Sequence, residues 1–177
     1  IATLLAFLIT PRIVRVLEKR TVVLIAIAGV GLLSPAAFIM YNLGLTPEKG
    51  SLELVFFISF FLIFLITLKV TGSMVRDSMV GDIADEVELQ SGKRQEGILY
   101  ATVGFMQKLN AGLGTFFAGL VLSFIGFNKD NPTADQGYAL AFIQGPGTTI
   151  LMIVPFIIFL GYSLSSSRHK EIMSSLK

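Results

Sequence analysis

Gly81-Asp82-Ile83-Ala84-Asp85-Glu86-Val87-Glu88, then Ser91-Gly92-Lys93-Arg94-Gln95-Glu96-Gly97, is the densest run of charge in the chain. It stands between two apolar runs, and the second carries a lysine, Lys108, deep inside it. Charge is scarce elsewhere. Of the 177 residues 53% are hydrophobic and 15% charged, against about 25% charged in a soluble domain. Mean hydropathy is +0.75. The apolar residues are bunched into runs rather than spread with a core-like period, which marks an all-α integral membrane protein. The absence of cysteine excludes a disulfide framework and a thiolate metal site. The one histidine, His169, sits in a polar tail, which argues against a histidine metal site or a catalytic triad. Neither a metal centre nor a nucleic-acid partner is expected.

Residues 1–9 are apolar but short, since crossing a core of about 30 Å takes about 20 residues. No basic segment or cleavage site precedes them, so they do not read as a signal peptide. They are expected to be the end of a helix that begins upstream, with Pro11 breaking or restarting the chain. Residues 22–43 form the first complete span, with Pro35 tolerable if neighbours satisfy the freed carbonyl. Residues 44–51 turn. Residues 52–71 form the next span and extend towards residue 86, because only Gly72 interrupts the helical pattern. From Leu54 to Asp85 such a helix would run roughly 47 Å. Lys69 and Arg76, seven apart, fall on one stripe that must face protein or a water-filled cavity. Residues 98–127, rich in small side chains that permit close helix approach, form the third complete span. Residues 138–162 form the fourth, bent by Gly145-Pro146-Gly147 and Pro155. Residues 163–177 are a polar tail able to form a short surface helix.

Most of the 14 Lys and Arg residues gather in three segments that alternate to one side of these spans. They are Arg12, Arg15, Lys19 and Arg20; then Arg76, Lys93 and Arg94; then Arg168, Lys170 and Lys177. The opposite loops hold only Lys49 and Lys129. The positive-inside rule makes the rich side, and the C-terminus, cytoplasmic.

Asp82, Asp85 and Glu86, at i, i+3 and i+4, share one helix face. Carboxylates so grouped repel unless cations neutralise them. The group reads as a solvated acidic loop, as an Mg²⁺ site of the Asp-x-x-Asp kind, or as an ion-pair lock between helix ends in which Arg94 grips Asp82 or Asp85. Lys108 lies ten residues beyond Ile98, roughly 15 Å deep, where a lysine costs on the order of 2.5–3.5 kcal/mol on insertion scales. Tyr100, Gly104, Lys108 and Gly112 recur every four residues. Lys108 either pairs with a buried acid or lines a transport cavity.

Met79-Val80-Gly81-Asp82-Ile83-Ala84-Asp85, Glu88, Ser91-Gly92-Lys93-Arg94-Gln95-Glu96-Gly97, Tyr100 and Lys108 together resemble the glycoside–pentoside–hexuronide:cation symporters. These form the melibiose-carrier-like branch of the major facilitator superfamily. Gly161-Tyr162-Ser163-Leu164 and Arg168-His169-Lys170-Glu171-Ile172 resemble the tail after that family's last helix. The resemblance implies the C-terminal helical bundle of a twelve-helix transporter, with residues 1–9 as the end of helix 8 and the complete spans as helices 9–12. It implies a cytoplasmic gate built from Asp82, Asp85 and Arg94, with Glu88 and Glu96 beside them. It implies that Lys108 faces the substrate cavity, with Tyr100 and Gly104 on its stripe. The coupling cation, Na⁺ or H⁺, is expected in the N-terminal half, the partner that completes the transporter. The setting implied is a bacterial inner membrane. A sugar or glycoside is the first substrate class, and a lysophospholipid or other amphiphile is the alternative within the family. From another class, an Mg²⁺-dependent intramembrane enzyme using Asp82 and Asp85 would need a second acidic motif, and the chain has no second Asp-x-x-Asp.

Overall fold

The computed structural model describes residues 1–162 and Ser174. The tail of residues 163–177, expected to form a surface helix, lies outside the described residues apart from Ser174. Among the described residues six α-helices follow in order: α1 (Ala2–Val16), α2 (Lys19–Asn42), α3 (Leu52–Ser91), α4 (Glu96–Phe124), α5 (Ala134–Phe142) and α6 (Thr148–Leu160). A π-helical turn, Ile143–Gly147, joins α5 to α6 without a break. There is no strand among the described residues.

Pro11 does not break α1, contrary to the expectation that the first helix would end near residue 9. Pro11 removes the backbone donor that would have met the Phe7 carbonyl, and the side-chain bonds nearby fall on the carbonyls to either side of it. Thr10 Oγ1 lies 2.6 Å from the Ala6 carbonyl, and Arg12 bonds the Leu8 carbonyl. Packing holds the helix too. Ala2, Ala6 and Thr10 recur every four residues and are buried. Thr10 Oγ1 is 3.2 Å from Thr71 Oγ1, and Thr67 Oγ1 is 3.2 Å from the Ala2 carbonyl, both on α3. Small and hydroxyl side chains on both helices permit this approach.

α3 runs for 40 residues, about 60 Å, well past the point where hydropathy falls at Lys69. Ser51 caps its start by accepting the Leu54 N–H at 3.1 Å. Gly92 ends it with φ +67°, the left-handed conformation that glycine adopts freely.

α2 is the hub, packing against α3, α6 and the π turn. Its buried face is Val22, Val23, Ala26, Val30 and Gly31. Gly72 of α3 faces Ala26 so closely that an added Cβ would stand 2.9 Å from Ala26 Cβ. At the charged end, Val22, Val23, Val75 and Met79 form the core, ringed by Ile13, Val14, Ile27, Phe159 and Tyr162. At the other end, Pro35 deprives the Gly31 carbonyl of its donor four residues on. Thr149 Oγ1 supplies one from α6 at 2.7 Å.

α2, α3 and the continuous unit Ala134–Leu160 are long and apolar enough to cross a membrane. α4 differs from the span expected over residues 98–127. Its 29 residues give ample length, but Gln107, Lys108 and Asn110 interrupt its middle, and it is not among those three helices. No residue of α4 is buried, and it touches the bundle chiefly along α3. Phe56, Phe60, Phe116 and Phe117 are all more than half exposed, an apolar exterior that water does not tolerate.

Thr149→Val keeps the side-chain shape and strands the Gly31 carbonyl. It is expected to cost about 1–3 kcal/mol, read as a lower melting temperature of the purified protein, while Thr115→Val, on exposed α4, leaves it unchanged.

Candidate functional site: the charged end of the bundle and the polar faces of α4

Asp82 is held by a cation that the sequence did not single out. Lys19 Nζ, at the start of α2, lies 2.7 and 2.8 Å from its two carboxylate oxygens. The side chains are only 24% and 13% exposed, so the pair is much less screened than a surface bridge. It ties the first turn of α2 to α3. Next to Lys19, Arg20 donates to the Leu160 carbonyl at the end of α6. Neighbouring cations therefore join three helices at one end.

The expected grip of Arg94 on Asp82 or Asp85 is corrected. Arg94 lies 2.9 Å from Glu96 and 3.7 Å from Glu88. Geometry forces this. Asp82 stands ten residues before Gly92 on a continuous helix, about 15 Å from its end, whereas Arg94 lies in the turn beside Glu88 and Glu96. The guanidinium is exposed, and its hydrogen bond and charge contact with Glu96 raise its pKa further above an already high value. Asp85 is half-buried one turn beyond Asp82. Four of the five expected gate residues thus fall into two groups, Asp82 on the bundle and Arg94 with Glu88 and Glu96 at the turn; Asp85 stands between them, its charge adding a smaller push to Arg94. The signal for Lys19 was its place in the basic loop; sequence alone could not tell it from Arg12 or Arg15.

Tyr162 closes this end. It packs on the core and stacks with Phe159 at 6.4 Å between ring centroids. Burial first, and then the charges of Asp82 and Glu86, push its phenol up to about 12.

The Tyr100, Gly104 and Lys108 stripe runs along α4. Tyr100 leans on α3, its hydroxyl 3.5 Å from the Asp77 carbonyl. A Cβ on Gly104 would meet nothing within 4 Å. Lys108 is exposed and makes no ion pair or hydrogen bond among the described residues. Asn110, two residues on, sits about 200° round the helix. It lines a cavity of about 490 Å³ between α2, α3, α4 and α6. Lys69, Ser73 and Arg76 of α3, on the stripe expected to avoid lipid, line the same cavity. Arg76 also pairs with Asp77 at 3.0 Å.

Lys19→Met is expected to destabilise the protein by about 1–3 kcal/mol, the cost of stranding a charged hydrogen-bonding partner. Arg94→Ala should leave the melting temperature almost unchanged. A charge swap, Lys19→Asp with Asp82→Lys, should recover part of the loss.

The raised phenol gives a separate alkaline signature. Its neutral form is favoured by folding, so its contribution is fully present below pH 10. That contribution is lost as pH rises towards 12. Melting temperatures across this range should fall more steeply for the wild type than for Tyr162→Phe.

The family profile described as MFS/sugar transport protein matches residues 1–166. An uncharacterized symporter, sll1374, of Synechocystis sp. is 31% identical over 107 residues, covering 56% of this chain and 20% of that protein. The uncharacterized symporter YnaJ of Bacillus subtilis is 27% identical over 106 residues, covering 56% of this chain and 22% of its own length. The chain thus spans about a fifth of each of these curated relatives. No solved structure matches. An Mg²⁺-dependent enzyme at Asp82 and Asp85 gives way to this match, and the Lys19 ammonium already occupies the Asp82 carboxylate. The all-α membrane bundle and a match over nearly the whole chain establish that it belongs to the MFS/sugar transport protein family, whose members are transporters rather than enzymes.

Proposed function

We propose that the chain belongs to the C-terminal half of a secondary transporter of the glycoside–pentoside–hexuronide:cation symporter branch, carrying a sugar or glycoside together with Na⁺ or H⁺. Alternating access rocks two halves around a site near the bilayer midplane. One observation carries the reading. Lys108 lies midway along α4, on a helix with no buried residue, and is without a partner among the described residues. A cation kept at such depth implies an opposing acid, water or ligand. An N-terminal half packed on α4 would supply the first, and substrate hydroxyls would accept from its ammonium group. Tyr100 and Gly104 border the same site, the glycine leaving room for a ring. The charged end with Asp82, Asp85, Glu88, Arg94 and Glu96 would be the cytoplasmic gate, in a bacterial inner membrane with the C-terminus inside. The names of the two symporters and the family's sugar-transport description support this reading.

The test is uptake by the complete transporter in proteoliposomes under Na⁺ and H⁺ gradients. Lys108→Met keeps the apolar stem and removes the charge. It is expected to leave insertion and melting temperature unchanged and to reduce sugar affinity or coupled uptake by at least about tenfold, or 1.4 kcal/mol. Full uptake with a lowered melting temperature would make Lys108 a structural ion-pair partner instead.

A further inference from the structure

The cavity between α2, α3, α4 and α6 is separate from the Lys108 face. Its polar lining carries two cations, Lys69 and Arg76, two neutral groups, Ser73 and Asn110, and no carboxylate. Lys69, Gly72, Ser73 and Arg76 share one face of α3 by their spacing. The remaining lining is apolar: Val23, Ala26, Ile27 and Val30 from α2, Leu68 from α3, and Met152, Pro155 and Phe159 from α6. A second, apolar cavity of about 260 Å³ shares Ile27 and Met152 with it and continues along Gly31, Thr149 and Phe156.

Lys69 is exposed and the Arg76 side chain is 43% exposed in this structure, so in a bilayer their position along α3 sets what surrounds them. The Lys19–Asp82 pair and the Arg20–Leu160 bond mark the charged end of the bundle. Counting from Asp82, Arg76 lies about 9 Å and Lys69 about 20 Å along α3 towards its apolar end. Arg76 shares its charge with Asp77. Lys69 makes no ion pair or hydrogen bond among the described residues. A positive charge at that depth needs a compensating anion or water, and the lining contains no anion of its own. The volume falls within the usual range of small-molecule sites.

We propose that this cavity binds an organic oxyanion with an apolar body, a carboxylate or phosphate held between Lys69 and Arg76. Arg76 offers a planar fork of donors and Lys69 a mobile point charge. Ser73 and Asn110 donate to the remaining oxygens, and the apolar body lies towards Ile27 and Met152. This site lies beyond the transport reading and does not involve Lys108, which occupies the opposite face of α4.

The experiment uses the purified complete protein and two matched probe pairs in calorimetric titrations: benzoate against benzamide, and octyl phosphate against octyl glucoside. At least one anion should bind, and more tightly than its neutral counterpart. Lys69→Met and Arg76→Gln should each weaken that anion by roughly 10- to 100-fold, the range for losing a hydrogen bond to a charged group. Lys108→Met should leave it unchanged. Preference for benzoate would point to a small solute as the natural occupant, and preference for octyl phosphate to a lipid-like one. The proposal is overturned if neither anion binds, if the neutral probes bind equally well, or if the anion preference survives both α3 substitutions. A drop in the melting temperature of Lys69→Met without anion binding would show instead that Lys69 pairs with an acid elsewhere in the protein. Sugar uptake measured on the same preparations separates the two readings. Anion binding without sugar uptake sinks only the transport reading, and sugar uptake without anion binding sinks only this one.

Discussion

A helix surrounded by hydrocarbon has no water to satisfy a stranded carbonyl, yet this chain sets Pro11, Pro35, Pro146 and Pro155 within helical segments. Each proline removes a donor that something must replace or geometry must absorb. At Pro35 the replacement comes from another helix, since Thr149 reaches the Gly31 carbonyl. The backbone defect thereby becomes a joint between α2 and α6. At Pro146 the chain widens into a π turn, which also brings Gly145 against α2. A Cβ there would stand 3.2 Å from Phe38 Cβ and from the Ser34 carbonyl. α1 continues through Pro11 to Val16 packed on α3 at Ala2 and Thr10, while Thr10 and Arg12 bond the carbonyls on either side of the one Pro11 frees.

Charge is arranged by the same constraint. At the open end of the bundle, Lys19 and Arg20 knit the start of α2 to Asp82 within α3 and to the end of α6, while water remains close enough to reduce their desolvation cost. Tyr162 stands where that end meets the apolar core, and both surroundings disfavour its anion. Higher along α3, Lys69 and Arg76 would be costly against lipid, and both line a cavity between helices while keeping exposed surface. Between them, Gly72 closes α3 onto Ala26 of α2.

α4 is the exception to the tight packing of α2. It carries polar groups on opposite faces, Lys108 on one and Asn110 on the other, and buries nothing. A helix polar on two sides and apolar between them cannot satisfy itself against one neighbour. Its glycines at 104, 112, 114 and 119 all face open space, although stripes of small residues usually mark close helix contacts. Both features fit a helix that belongs between two halves of a larger assembly, the arrangement put forward for the whole transporter.

The sequence by itself determined the all-α membrane class, because apolar runs of span length have no other stable form. It also marked Lys69 with Arg76 as a stripe that avoids lipid, and α3 as one helix past Lys69, because helical spacing is a local property. Its motif around Asp82 and Arg94 pointed to a family of sugar transporters, and the match over residues 1–166 supports that superfamily. Only the tertiary structure decided which cation meets which acid. Lys19 and Asp82 are 63 positions apart, and no local rule prefers Lys19 to Arg94. Only the tertiary structure carried α1 through Pro11, since the contacts of Ala2 and Thr10 with α3 lie outside any local window. It also placed Asn110 on a cavity that Lys108 does not line. Spacing places side chains on a helix face, but what that face meets depends on helices brought together from distant parts of the chain.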